Sequence, residues 1–134
     1  MAVTALHAAP TAPLVSGVTQ IAIGSADPPK LAEFYQRALG LDVLFEVAGM
    51  IFMGAGALKL MIGPKHPDIP IGGDAVFYFE PTVWAAAEAS IENAGAKFMS
   101  DTIVLQRAEG RELGLRAFKD PEGHTLALYG WRAA

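Results

Sequence analysis

Between Gly17 and Gly24 the chain reads Gly-Val-Thr-Gln-Ile-Ala-Ile-Gly, a short run rich in β-branched residues that predicts a strand. The period then lengthens. Leu31, Phe34, Tyr35 and Ala38 recur at three- and four-residue intervals, the spacing of a helix with one buried face. Ser25 or Asp27 can cap that helix, Pro28 and Pro29 fit only its first turn, and Gly40 stands where it should end. Three short strands are predicted next, over Leu41–Val47, Met50–Met53 and Ala57–Ile62, parted by glycines that permit tight turns. The segment Gly63–Gly73 holds Pro64, Pro67 and Pro70 and closes on two glycines, so it reads as a linker.

After the linker the pattern starts again. Asp74–Glu80 reads as a strand, and Thr82 is placed to cap a helix reaching Ala94, with Val83, Ala87 and Ile91 on one face. Gly95 ends it, and three more strands fall within Lys97–Gln106, Glu112–Lys119 and Thr125–Trp131. Gln20 precedes Gly40 by the same interval by which Ala75 precedes Gly95. Such a repeat predicts pseudo-twofold symmetry. The expected fold class is α+β, with two βαβββ modules, residues 17–63 and 74–131, joined by a linker at 64–73 within one domain spanning 16–132. Residues 1–15, alanine-rich with Pro10 and Pro13, read as a flexible tail without the basic start of a secretory signal.

Strand alternation separates two faces. Ile21, Ile23, Leu58, Leu60, Ile62, Val76, Tyr78, Leu126 and Leu128 form one parity class, expected to pack against the helices. The opposite class mixes polar, small and aromatic groups: Gln20, Lys59, Met61, Ala75, Phe77, Phe79, Ala127, Tyr129 and Trp131 among them. That mixture suits a concave pocket, a half-exposed sheet face or a dimer surface. Trp131, near the end of the strand, is expected to fill core or subunit interface.

Composition narrows the chemistry. Of 134 residues 52% are hydrophobic and 18% charged, enough apolar matter for a real core. The net charge of -4 argues against nucleic acid, and no apolar run approaches a membrane span. Without cysteine there is no disulfide, thiolate zinc site or cysteine nucleophile, which fits a cytoplasmic protein. No phosphate loop, serine nucleophile elbow or histidine ligand pair occurs. Alternating charges at Arg107, Glu109, Arg111, Glu112 and Arg116 read as a solvated hairpin.

Phe34-Tyr35 followed by Leu39-Gly40-Leu41, and Asp120-Pro121-Glu122-Gly123-His124 before the last strand, resemble motifs of the vicinal oxygen chelate superfamily. That superfamily includes glyoxalases, extradiol dioxygenases and bleomycin-binding proteins. The resemblance implies a curled mixed sheet with both helices on its convex face and a ligand cup on the concave one. It also implies four metal positions, which match Gln20, Lys59, Ala75 and Ala127. Only Gln20 offers a donor, and an ammonium at Lys59 repels a cation, so no metal and no cofactor are expected. A displaced site built from Gln20, His66 and Glu46 or Glu80 is the alternative.

The expected function is metal-free binding of a small organic molecule, with Gln20, Lys59, Met61, Phe77, Phe79 and Tyr129 as ligand contacts. Lys59 would anchor an anionic group, or else pair with Glu33, Glu46 or Glu80 or snorkel to solvent. Two other readings stay open: a metal-dependent lyase, isomerase or dioxygenase, and a dimeric structural or regulatory module. A homodimer is expected, with no nucleic-acid or membrane partner.

Overall fold

The computed structural model describes Leu14, residues 18–65 and residues 75–134. Most of the expected tail, nearly all of the linker, His7 and His66 lie outside the described residues.

The first module begins with strand β1 (Gln20–Ser25) and helix α1 (Pro28–Leu39). The Asp27 carboxylate accepts the Lys30 N–H at 3.3 Å, which caps the helix. Gly40 turns left-handed at φ 69° and donates its N–H to the Gln36 carbonyl at 2.9 Å. Strands β2 (Val43–Val47), β3 (Met50–Ala55) and β4 (Leu58–Pro64) follow, and the sheet order is β1-β4-β3-β2. β1 runs parallel to β4, while the remaining pairs are antiparallel.

The second module repeats this order: β5 (Phe77–Phe79), α2 (Trp84–Asn93), β6 (Ile103–Ala108), β7 (Arg111–Lys119) and β8 (Thr125–Ala133). Its sheet runs β5-β8-β7-β6, again with the first and last strands parallel. The pseudo-twofold repeat is therefore present in the backbone. Two details depart from expectation. Helix α2 starts at Trp84 behind an extended Val83, with no side-chain cap, so Thr82 stands one residue too early to cap it. Glu112, expected in a solvated hairpin, is instead buried, held by Arg132 at 2.8 Å and Arg107 at 3.3 Å.

The modules share one core. Leu31, Phe34 and Tyr35 of α1 join Ile23, Leu60 and Ile62 of the first sheet and Phe118, Leu126 and Leu128 of the second. The two helices touch each other, and α1 covers β1, β3 and β4. Helix α1 thus lies on one face of its own sheet, and α2 packs on α1 and sends Trp84 against β7 on the core-facing side, so that neither helix covers the opposite faces. Gly114 lets α2 approach, since a Cβ there would lie 3.2 Å from the Trp84 ring. The expected curled sheet is divided into two four-stranded ladders among the described residues.

Candidate functional site

The ladder registers decide which side chains share the helix-free faces. In the first sheet Gln20 pairs with Lys59 and Ala22 with Met61, while Ile21, Ile23, Leu60 and Ile62 point the other way into the core. Gln20 Nε2 lies 3.6 Å from Met61 Sδ, so these predicted site residues do come together. Phe52 pairs with Met61 across the next ladder and stacks on Phe45 at 4.5 Å between centroids. Neither phenylalanine was expected at the site. The register shift between Val43 and Phe45 breaks the alternation that would have placed Phe45 there.

The second sheet corrects the face expected for β5. Phe77 and Phe79 pair with Leu126 and Leu128 and pack against the core, whereas Tyr78 is 55% exposed on the helix-free face. Three consecutive aromatics carry no apolar–polar alternation. The phenol, which keeps its hydroxyl hydrated, takes the outward position, and the two phenyl rings go inward. Val76, expected inside, is 40% exposed, and Ala75 lies outside the strand. The ladder partner of Ala127 is Tyr78, not Ala75.

Tyr78 and Tyr129 meet at 5.1 Å between ring centroids. With Trp131, Leu113, Gln106 and Glu80 they line an open groove of about 280 Å³. The Arg111 guanidinium stands 5.7 Å from the Trp131 ring. Tyr129 and Trp131 were legible from the alternation of β8. Gln106, Leu113 and Tyr78 depend on cross-strand register, which no single stretch of sequence contains.

Among the described residues a divalent metal finds no fitting donor set here. The matching positions present an amide at Gln20, an ammonium at Lys59 and a methyl group at Ala127, with a phenol at Tyr78 in the place expected for Ala75. Among the described residues, no three His, Cys, Asp or Glu side chains gather in a way that would hold an ion. The displaced site through His66 falls outside the described residues.

The Asp120–His124 hairpin is a closed structural node rather than an open site. Asp120 Oδ1 accepts the N–H groups of Glu122 and His124, and Oδ2 takes the Tyr35 hydroxyl at 2.9 Å and His124 Nδ1 at 2.6 Å. Burial, reinforced by the Asp120 charge, pushes the Tyr35 phenol far above its ordinary range. Beside it Glu122 reaches Ser25 Oγ and the Ala26 N–H. Burial alone would raise the Glu122 carboxyl. The Ser25 and Ala26 hydrogen bonds, with His124 and Lys65 nearby, outweigh it and hold the group below its usual value. Asp120 thus ties the hairpin of the second module to α1.

Fold and site together define a two-module α+β sheet protein that presents aromatic, amide and ammonium groups where a metal would need donors. The profile of the Glyoxalase/Bleomycin resistance protein/Dioxygenase superfamily matches residues 17–128, and the chain belongs to that superfamily. No curated protein matches it. Among solved structures, the Vibrio cholerae integron cassette protein VCH_CASS1 is 24% identical with TM-score 0.70, over 89% of this chain and 98% of that one. TnmS3, an antibiotic binding protein from Streptomyces sp. CB03234, is 18% identical with TM-score 0.68, over 88% and 98%. Lactoylglutathione lyase from Agrobacterium tumefaciens is 17% identical with TM-score 0.63, over 87% and 95%. At these identities the likeness establishes the fold. No described helix is long and apolar enough to cross a membrane.

Proposed function

We propose that the chain is a metal-independent small-molecule binding protein whose ligand stacks on the helix-free faces of its sheets. The observation that carries this reading is the groove of Tyr78, Tyr129 and Trp131, where rigid rings offer contact area at small entropic cost. Gln106 and Glu80 at that groove would orient polar substituents, and Lys59 with Gln20 would receive an anionic or carbonyl group on the companion sheet. The antibiotic binding protein TnmS3, which shares the fold, lends this reading support.

The working form we propose is a homodimer. All five residues of β2 are exposed, including Val43, Leu44, Phe45 and Val47, and Ile103 and Leu105 on β6 are about half exposed. Apolar strands bare at two sheet edges favour a second copy as their cover. A cytoplasmic setting fits the cysteine-free composition.

A thermal-shift screen of planar aromatic compounds, some bearing carboxylates, tests the binding reading. A binder at a hundredfold its Kd should stabilise the fold by about 2.7 kcal/mol. Tyr129→Ala should abolish the shift, and Lys59→Met should weaken it for the carboxylates alone. No shift across the panel would remove the proposal. Stoichiometric metal in purified protein, with an activity lost on chelation, would replace it with the metal-dependent lyase or dioxygenase reading.

A further inference from the structure

A second and larger cavity lies on the core side of β5, where the two modules face each other. It measures about 850 Å³, within the range of drug-sized ligand sites. Ile21 and Leu58 of the first module form one wall, Phe77 and Phe79 another, and Val83 and Ala87 of α2 a third. Its origin is visible in the sequence of α2. Where α1 sends Leu31, Phe34 and Tyr35 inward, α2 presents Ala86, Ala87 and Ser90 to this space, and small side chains leave room there among the described residues.

Among the described residues the lining is apolar except for the Glu80 carboxylate and the hydroxyls of Ser90, Thr82 and, at the rim, Tyr78. Among the described lining residues Glu80 carries the one carboxylate, and no described side chain pairs with it. Ser90 Oγ already donates its proton to the Arg37 carbonyl at 2.9 Å, so what it retains is acceptor capacity. Aromatic walls and a carboxylate that no described side chain pairs suit a guest with an apolar body and a positively charged, hydrogen-donating end, while the Thr82 and Tyr78 hydroxyls can accept from it.

We propose that this inter-module cavity is a binding site for an aryl- or alkylamine, distinct from the Tyr78–Tyr129 groove. The two sites lie on opposite faces of β5 and share Tyr78 and Glu80 at their borders. An anion is disfavoured because no described lining residue carries a positive charge to offset Glu80.

Three probes of one skeleton test it: 4-phenylbutylamine, 4-phenylbutan-1-ol and 4-phenylbutyrate, titrated into the full chain by calorimetry and NMR. The amine should bind, with contacts to the rings of Phe77 and Phe79, and the alcohol should bind about fivefold more weakly, the upper end of what an ion pair to the exposed Glu80 is worth. The butyrate should not bind. Glu80→Gln should bring amine and alcohol to the same affinity. Ala87→Trp, which fills the cavity, should abolish binding, while Tyr129→Ala should leave it unchanged. Should Ala87→Trp fail to fold, the NMR contacts in the unmodified chain decide the location. Failure of the amine to bind at millimolar concentration, a preference for the butyrate, or contacts to Tyr129 instead of Phe77 and Phe79 would overturn the proposal.

Discussion

Helix α1 buries Leu31, Ala32, Phe34, Tyr35 and Ala38, whereas α2, in the equivalent place of the second module, buries only Ile91. The backbones match strand for strand, so topology cannot account for the difference. The side chains can. α1 carries two aromatics that reach Asp120 and the second sheet, and it is capped at both ends. α2 carries alanines, begins on an uncapped Val83 and borders an open cavity. One copy of the repeat has kept its helix as the keystone of the shared core. The other packs its helix less tightly and leaves the space that the proposed amine site would use.

The comparison is most exposed to failure in the core. Leu31 is 1% exposed, and truncating such a side chain costs about 3–4 kcal/mol through lost transfer energy and the cavity left behind. Val83, 60% exposed at the start of α2, should cost under about 0.5 kcal/mol when replaced by alanine. Urea unfolding of Leu31→Ala and Val83→Ala measures both. Equal costs would mean that the second helix carries as much of the fold as the first.

Tyr35 supplies the next largest effect. Its hydroxyl donates to a buried carboxylate, a bond worth about 1.5–3 kcal/mol, so Tyr35→Phe should destabilise by roughly that amount. The pH dependence follows from the raised phenol. Folded protein retains the Tyr35 proton where an unfolded tyrosine, at about 10, has released it. The stabilisation is therefore whole below that pH and declines above it, by about 1.4 kcal/mol per pH unit. Tyr35→Phe should lack this part of the alkaline decline, and parallel profiles from pH 9 to 11.5 would contradict the assignment.

These residues also show how much could be read from the chain beforehand. The repeat, both helices and the caps of α1 follow from local spacing and from Asp27, Pro28 and Gly40, each acting within one turn. The face of β4 was legible because Leu58, Leu60 and Ile62 alternate with Lys59 and Met61. The face of β5 was not, because Phe-Tyr-Phe contains no alternation and its orientation is set by pairing with β8. The Tyr35–Asp120 bond joins residues 85 apart, and only the folded packing of the hairpin on α1 brings them together. The large cavity escaped for a related reason. Alanine at positions 86 and 87 looks like an ordinary helix face until its distance from Phe77 and Phe79 is fixed by the fold.

The smallest expected effect bears on the helix ends. Asp27 bonds the Lys30 N–H, and removing such a cap costs about 1 kcal/mol, so Asp27→Ala should lower stability by that much. Val83 occupies the same structural position in α2 with an extended backbone, φ -138° and ψ 115°, and no oxygen to offer. Val83→Ser supplies one in a conformation that already suits an N-cap, and it removes little buried surface. It should raise stability by about 0.5–1 kcal/mol, read as an increase in the urea midpoint at constant slope. A gain at position 83 matched by a loss at position 27 would show that the second helix was left uncapped although its backbone could accept a cap. A loss at both positions would mean that the Val83 side chain packs into the cavity it borders, and the contrast between the helices would narrow accordingly.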